Sequence, residues 1–133
     1  MNVNTVTIIG NLTQDPLHRT YGDNEPLTTF TVATNRRRNG KEEKPEFHFV
    51  VTFGRLAEIC REYLVKGRLV YVQGRLHTSQ WEDKDKKMHS RTEIIAKEML
   101  LLDKKQALVR AASEEDADAS EALVNIERVV QPA

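Results

Sequence analysis

Trp81 is the single tryptophan in 133 residues of which aromatics make up 6%, so its position is informative. It stands in Thr78-Ser79-Gln80-Trp81-Glu82-Asp83, where no apolar neighbour would bury it. An indole beside water is a flat apolar surface on which another flat ring can stack, worth about 1–3 kcal/mol per nucleobase. The alternative is a ring folded back onto the rim of its own domain, since tryptophan is mostly buried. Arg36, Arg37 and Arg38 are consecutive, and adjacent guanidinium forks fit phosphate oxygens and stack on bases. Against that, a charge run is usually a solvated loop, and the nearby Glu42 and Glu43 can neutralise part of this one. Arg75 and the lysines Lys84, Lys86 and Lys87 are further cations; the lysines alternate with Asp83 and Asp85, so a self-paired turn competes with a binding role. Phe47, Phe49, Val51 and Phe53 recur at spacing two and share one strand face. Periodicity alone assigns such a face to the core as readily as to an aromatic surface. His48, on the opposite face, either contacts a bound strand or satisfies an internal hydrogen bond, the second being the expectation.

No catalytic constellation competes. His18, His48, His77 and His89 lack the i, i+4 spacing of a zinc site, and one cysteine cannot build a thiolate site. Phosphate-binding glycine patterns and the nucleophile-elbow motif are missing. Carboxylate pairs such as Glu42 and Glu43 lie in charged, polar segments and not among apolar residues that could enclose a site. The chain is therefore expected to be no enzyme and to need no metal or cofactor.

The length suits one domain. With 39% apolar and 30% charged residues and a mean hydropathy of −0.55, the composition is that of a water-soluble protein. The longest uncharged apolar run, Met99 to Leu102, cannot span a bilayer. The N-terminus has no basic stretch followed by an apolar core, so a secretory signal is not expected and the cytoplasm is the default location. Net charge is zero, which first argues against a polyanionic partner. The average conceals an asymmetry: residues 1–105 hold 18 basic and 14 acidic side chains, and residues 106–133 hold 2 basic and 6 acidic. A basic body with an acidic tail is a charge pattern of nucleic-acid-binding proteins.

The first hundred residues read as short strands with one helix among them. Strands are expected at Asn4 to Leu12, Leu27 to Thr34 and Glu46 to Phe53. Turn chemistry at Asp15-Pro16 and Tyr21 to Pro26 separates the first two. Asn35 to Pro45 is expected to form an exposed arm, its Asn39-Gly40 pair being a hairpin signal. From Arg55 to Lys66 the period changes: Leu56, Ile59, Cys60, Tyr63 and Leu64 follow one helical face, with Gly67 as the stop and Cys60 as a small core residue. Strands return at Arg68 to Leu76 and Arg91 to Leu102, separated by a second polar arm, His77 to Ser90. Three strands, one helix and two strands suit an all-β, five-stranded OB-fold Greek-key barrel with its helix between strands three and four. Residues 1–105 form this domain. Residues 106–133 form an acidic, alanine-rich tail, in which Leu123, Ile126 and Val130 could make a short helix against a partner surface.

Four segments occur in the order of a known family: Ile9-Gly10-Asn11-Leu12 with Asp15-Pro16, Phe53-Gly54-Arg55-Leu56-Ala57-Glu58, Tyr63-Leu64-Val65-Lys66-Gly67, and Val70-Tyr71-Val72-Gln73-Gly74-Arg75-Leu76. As an ordered set they resemble the bacterial single-stranded DNA-binding protein family across about the first hundred residues. The resemblance implies an OB fold, a homotetramer, and sequence-independent binding of single-stranded DNA in replication, recombination and repair. It places stacking rings at Trp81, Phe47 and Phe53. Phe49 departs from the family, which tends to have a basic residue there; it reads as an extra platform or as a contact to a neighbouring subunit. A family tryptophan commonly near Arg38 is missing, so the first arm is expected to hold a strand through charge, each phosphate contact adding about −0.7 to the log-log salt slope. The family's apolar C-terminal tip, which docks replication and repair proteins, is not matched by Val129-Val130-Gln131-Pro132-Ala133. That puts this route of partner recruitment in doubt and leaves room for a paralogue, plasmid or phage version. Two other functions fit the same fold: a primosome-like adaptor acting mainly through protein contacts, and an RNA chaperone, since stacking is indifferent to the sugar.

Overall fold

In the computed structural model, which describes residues 1–102 and 108–110, the period-two stretches form strands and the one 3.6-period stretch forms a helix. The elements are β1 (Val6–Leu12), β2 (Leu17–Tyr21), β3 (Glu25–Thr34), β4 (Arg37–Arg38), β5 (Lys41–Glu42), β6 (Glu46–Phe53), α1 (Gly54–Tyr63), β7 (Leu69–Glu82), β8 (Met88–Leu101) and β9 (Leu108–Arg110). Pairing runs β1-β7-β8-β6-β3 and returns to β1 through Asn11 opposite Ala33 and Leu12 opposite Val32, so five strands close into a barrel. Strands β6 and β8 are parallel; the other barrel pairs are antiparallel. With α1 between the third and fourth barrel strands, this is the OB architecture. Among the described residues, no helix is long and apolar enough to cross a membrane.

The inner face of the barrel carries Leu12, Phe30, Val32, Val50, Val70, Val72, Ile94 and Met99, and α1 closes one end by adding Leu56 and Cys60, with Leu64 just past its last turn. Each such aliphatic side chain contributes about 1.5–3 kcal/mol when fully buried. Polar groups under the helix are paired: Thr28 Oγ1 donates to the Ala57 carbonyl at 2.8 Å and Thr52 Oγ1 to the Thr28 carbonyl at 2.8 Å. Burial pushes the Cys60 thiol up to about 12, which leaves it an inert core group, as its helical position implies.

The helix ends at Tyr63, three residues before the sequence pattern does. Leu64 is already extended, and the backbone donors beyond it turn to the loop after β1. Lys66 N–H donates to Asp15 Oδ1 at 2.8 Å and Gly67 N–H to the Leu12 carbonyl at 2.9 Å. Those bonds satisfy groups that another helical turn would have used. Strand β2 was not foreseen; four of its five residues are exposed, and it adds to the sheet through β3. The two late strands are longer than expected, each running 14 residues. β9 lies along the last residues of β8, at Glu98 to Leu100. The helix pattern of Leu123, Ile126 and Val130 lies outside the described residues.

Candidate nucleic-acid interface

Strand β6 separates its two faces at His48. Val50 points into the barrel with the core, and His48 Nε2 meets Thr34 Oγ1 at 2.8 Å, the internal hydrogen bond expected of it. Phe47, Phe49, Val51 and Phe53 occupy the opposite, outer face. The phenylalanine face is thus not the barrel core. It is graded along its length: Phe47 is 65% exposed, Phe49 is half-buried, and Phe53 is 4% exposed. Phe53 joins a second apolar cluster with Leu27, Val51 and Ile95, and its ring meets Tyr21 edge-on at 5.5 Å. In this packing Phe53 supports the sheet and offers no open face, whereas Phe47 does.

The second arm is the outer end of the β7–β8 hairpin, held by continuous pairing from His77 opposite Glu93 to Glu82 opposite Met88. Its tip is built around Asp83. Asp83 Oδ1 accepts the backbone N–H of Asp85 (2.8 Å) and of Lys87 (2.9 Å), and Oδ2 meets His89 Nε2 at 2.5 Å. The His89 bond, then that from the Lys87 amide, holds the Asp83 carboxyl below the usual carboxylate range. Lys84, Lys86 and Lys87 are exposed on this tip. Trp81 sits directly across from His89, and the two rings stack at 5.6 Å with 20° between their planes. Trp81 is half-buried, because the imidazole covers part of one side.

Arg91 joins this arm to β6. Its guanidinium carbon lies 4.1 Å from the centre of the Phe49 ring and 5.7 Å from that of Trp81. Phe49, Arg91, Trp81 and His89 therefore form a row across β6, β8 and β7 on the outside of the barrel. Behind the row, Glu93 is 1% exposed and hydrogen-bonds to the buried hydroxyl of Ser79. Burial pulls the Arg91 pKa down and the Glu93 charge opposes that. Arg75, half-buried, lies six residues before Trp81 on the same face of β7.

The first arm is a separate two-stranded sheet in which Arg37 pairs with Glu42 and Arg38 with Lys41. Asn39 and Gly40 both have positive φ, 53° and 77°, the requirement of the tight hairpin turn that the Asn-Gly pair predicts. Arg36, Arg37 and Arg38 are exposed. Arg37 reaches Glu42 at 3.9 Å with both side chains largely in water, so part of the charge is answered within the arm. The residues flagged from sequence thus fall into three groups: Phe47, Phe49 and the buried Phe53 with Arg75 and Trp81 on the outer face, the lysines at the hairpin tip, and the arginines on the first arm. Sequence reading missed Arg91, His89 and the Ser79–Glu93 pair. His89 was visible only as a histidine two residues from a charged one, and the partners of Arg91 come from other strands. Among the described residues, no group of three His, Cys, Asp or Glu side chains could hold a metal ion.

Residues 3–102 match the model of the single-strand binding protein family. A single-stranded DNA-binding protein 1 of Xylella fastidiosa is 46% identical over 110 residues, covering 79% of this chain and 81% of that protein. The single-stranded DNA-binding protein of Thermotoga maritima is 37% identical over 122 residues, covering 89% and 86%. Among solved structures, a Plasmodium falciparum SSB complex with ssDNA superposes with a TM-score of 0.65 at 30% identity, over 84% of this chain and 97% of that one.

Proposed function

The chain belongs to the single-strand binding protein family, and from that premise we propose that it binds and protects single-stranded DNA without sequence preference during replication, recombination and repair. It acts by binding and not by catalysis. The observation that carries this reading is the row of Phe49, Arg91, Trp81 and His89 beside the exposed ring of Phe47. Flat rings take the face of any base, and the cations of both arms take the phosphates, so neither contact depends on sequence.

Residues 1–105 are the binding domain and 106–133 its tail, a division supported by the end of the family match at residue 102. The protein works in the cytoplasm as a homotetramer. Ile9, exposed on β1 opposite Tyr71 of β7, offers apolar surface that a second copy can cover.

Because Trp81 is the sole tryptophan, titration with oligo-dT reports on the site directly. Saturable quenching of its emission is expected, weakening as salt rises. Failure to bind oligo-dT at low ionic strength, or a preference for duplex, would overturn the reading.

A further inference from the structure

We infer that Arg91 is a nucleic-acid contact in its own right, a planar cation that takes the phosphate between bases stacked on the β6 and β7 rings. The inference rests on the reading of this surface as a single-stranded DNA site. Phe49 and Trp81 lie on strands that do not pair with each other; β8 runs between them, and Arg91 is the β8 residue in contact with both. A strand passing from one ring to the other crosses Arg91. Neither ring carries charge, whereas each step between successive bases brings one phosphate. A guanidinium on this path supplies the missing counter-charge and, being flat, continues the stacking surface instead of interrupting it.

Its placement has structural support. With its carbon 4.1 Å from the ring centre, the guanidinium is in cation–π contact with Phe49. Glu93, bonded to Ser79 and almost wholly buried, lies two residues along the same face of β8; burial pulls the Arg91 pKa down and the Glu93 charge works against that. A lysine here would keep the charge and lose the plane. A glutamine would keep neither the charge nor the ring contact.

Arg91→Lys and Arg91→Gln, each checked for an unchanged melting transition, are titrated with oligo-dT over a range of salt concentrations. Arg91→Lys should keep the wild-type salt slope and bind about three- to tenfold more weakly. Arg91→Gln should bind more weakly still and lose about 0.7 from the magnitude of the slope. Trp81 quenching at saturation should shrink in both, since the strand is less firmly drawn across the row. Wild-type affinity and slope in Arg91→Gln would overturn the inference, as would weaker binding with slope and quenching unchanged, the mark of a purely structural role. If Arg91→Gln fails to fold, Arg91→Lys decides: wild-type affinity and quenching in that variant overturn the inference. Failure of the wild-type protein to bind oligo-dT is a separate outcome, and it counts against the function and not against Arg91 alone.

Discussion

The two arms make opposite use of the same element. The first, β4–β5, is two residues on each side, joined to its surroundings by backbone and held within itself by a tight turn and one water-exposed ion pair. The second is the outward continuation of two 14-residue barrel strands, with cross-strand partners at each step, a tip organised by one carboxylate, and a ring stacked across the hairpin. The difference follows from what each contact demands. Stacking is directional, so a ring must be held in place before a base arrives. Charge attraction is long-ranged and tolerant of angle, so cations on a loosely held loop remain effective. On the proposed reading, the second arm positions and the first attracts.

The contrast breaks most severely at the root of the second arm. A Cβ added to Gly74 would stand 2.0 Å from the Ile95 carbonyl oxygen, beside the register shift in β7, and backbone cannot move aside cheaply. Gly74→Ala should cost about 1–3 kcal/mol or more in chemical denaturation. Gly40→Ala, whose new methyl meets nothing within 4 Å, strains only its left-handed φ, at about 1–2 kcal/mol and within the first arm, so it should move the melting transition less than Gly74→Ala. Equal losses in the two variants would show the arms to be equally integral to the fold.

Binding should separate the arms next. Trp81→Ala is expected to weaken oligo-dT binding by about 1–3 kcal/mol while leaving the salt slope alone. Replacing Arg36, Arg37 and Arg38 together with glutamine should do the reverse, reducing the slope by up to about 2 with little change in Trp81 quenching. Isotherms collected at several salt concentrations distinguish the two patterns.

The smallest effect is at the tip. The Asp83 carboxyl is held below its ordinary range, so its contribution is complete above the unfolded-state pKa and is lost as pH falls through the lower folded-state value. Amide resonances of Asp85 and Lys87 should therefore shift and broaden only at pH below the usual carboxylate titration. Those of the first arm should not follow them.

The barrel was legible because its strands and helix obey simple periods, and β6 was read to the residue. What escaped depended on contacts between distant segments. Leu17–Tyr21 carries no strong alternation, since four of its five residues face water, so only pairing with β3 reveals it as a strand. The phenylalanine face of β6 was undecidable from period alone, because both faces of its second half are buried, one by the barrel core and one by Tyr21, Leu27 and Ile95. Phe53 shows the same limit: its type fits a stacking role, yet its neighbours in space enclose it. Arg91 stands in the sequence only as the first residue of an expected strand, and its ring contacts come from β6 and β7 on either side of it.

Strand β2 is also one of the places where the sheet stops. Among the described residues it pairs with β3 alone, and it offers five residues, with His18 and Arg19 midway along them. Each of the five barrel strands, by contrast, has a neighbour on both sides. At β2, fibre-like growth through bare peptide groups finds only a brief, polar template from which to begin.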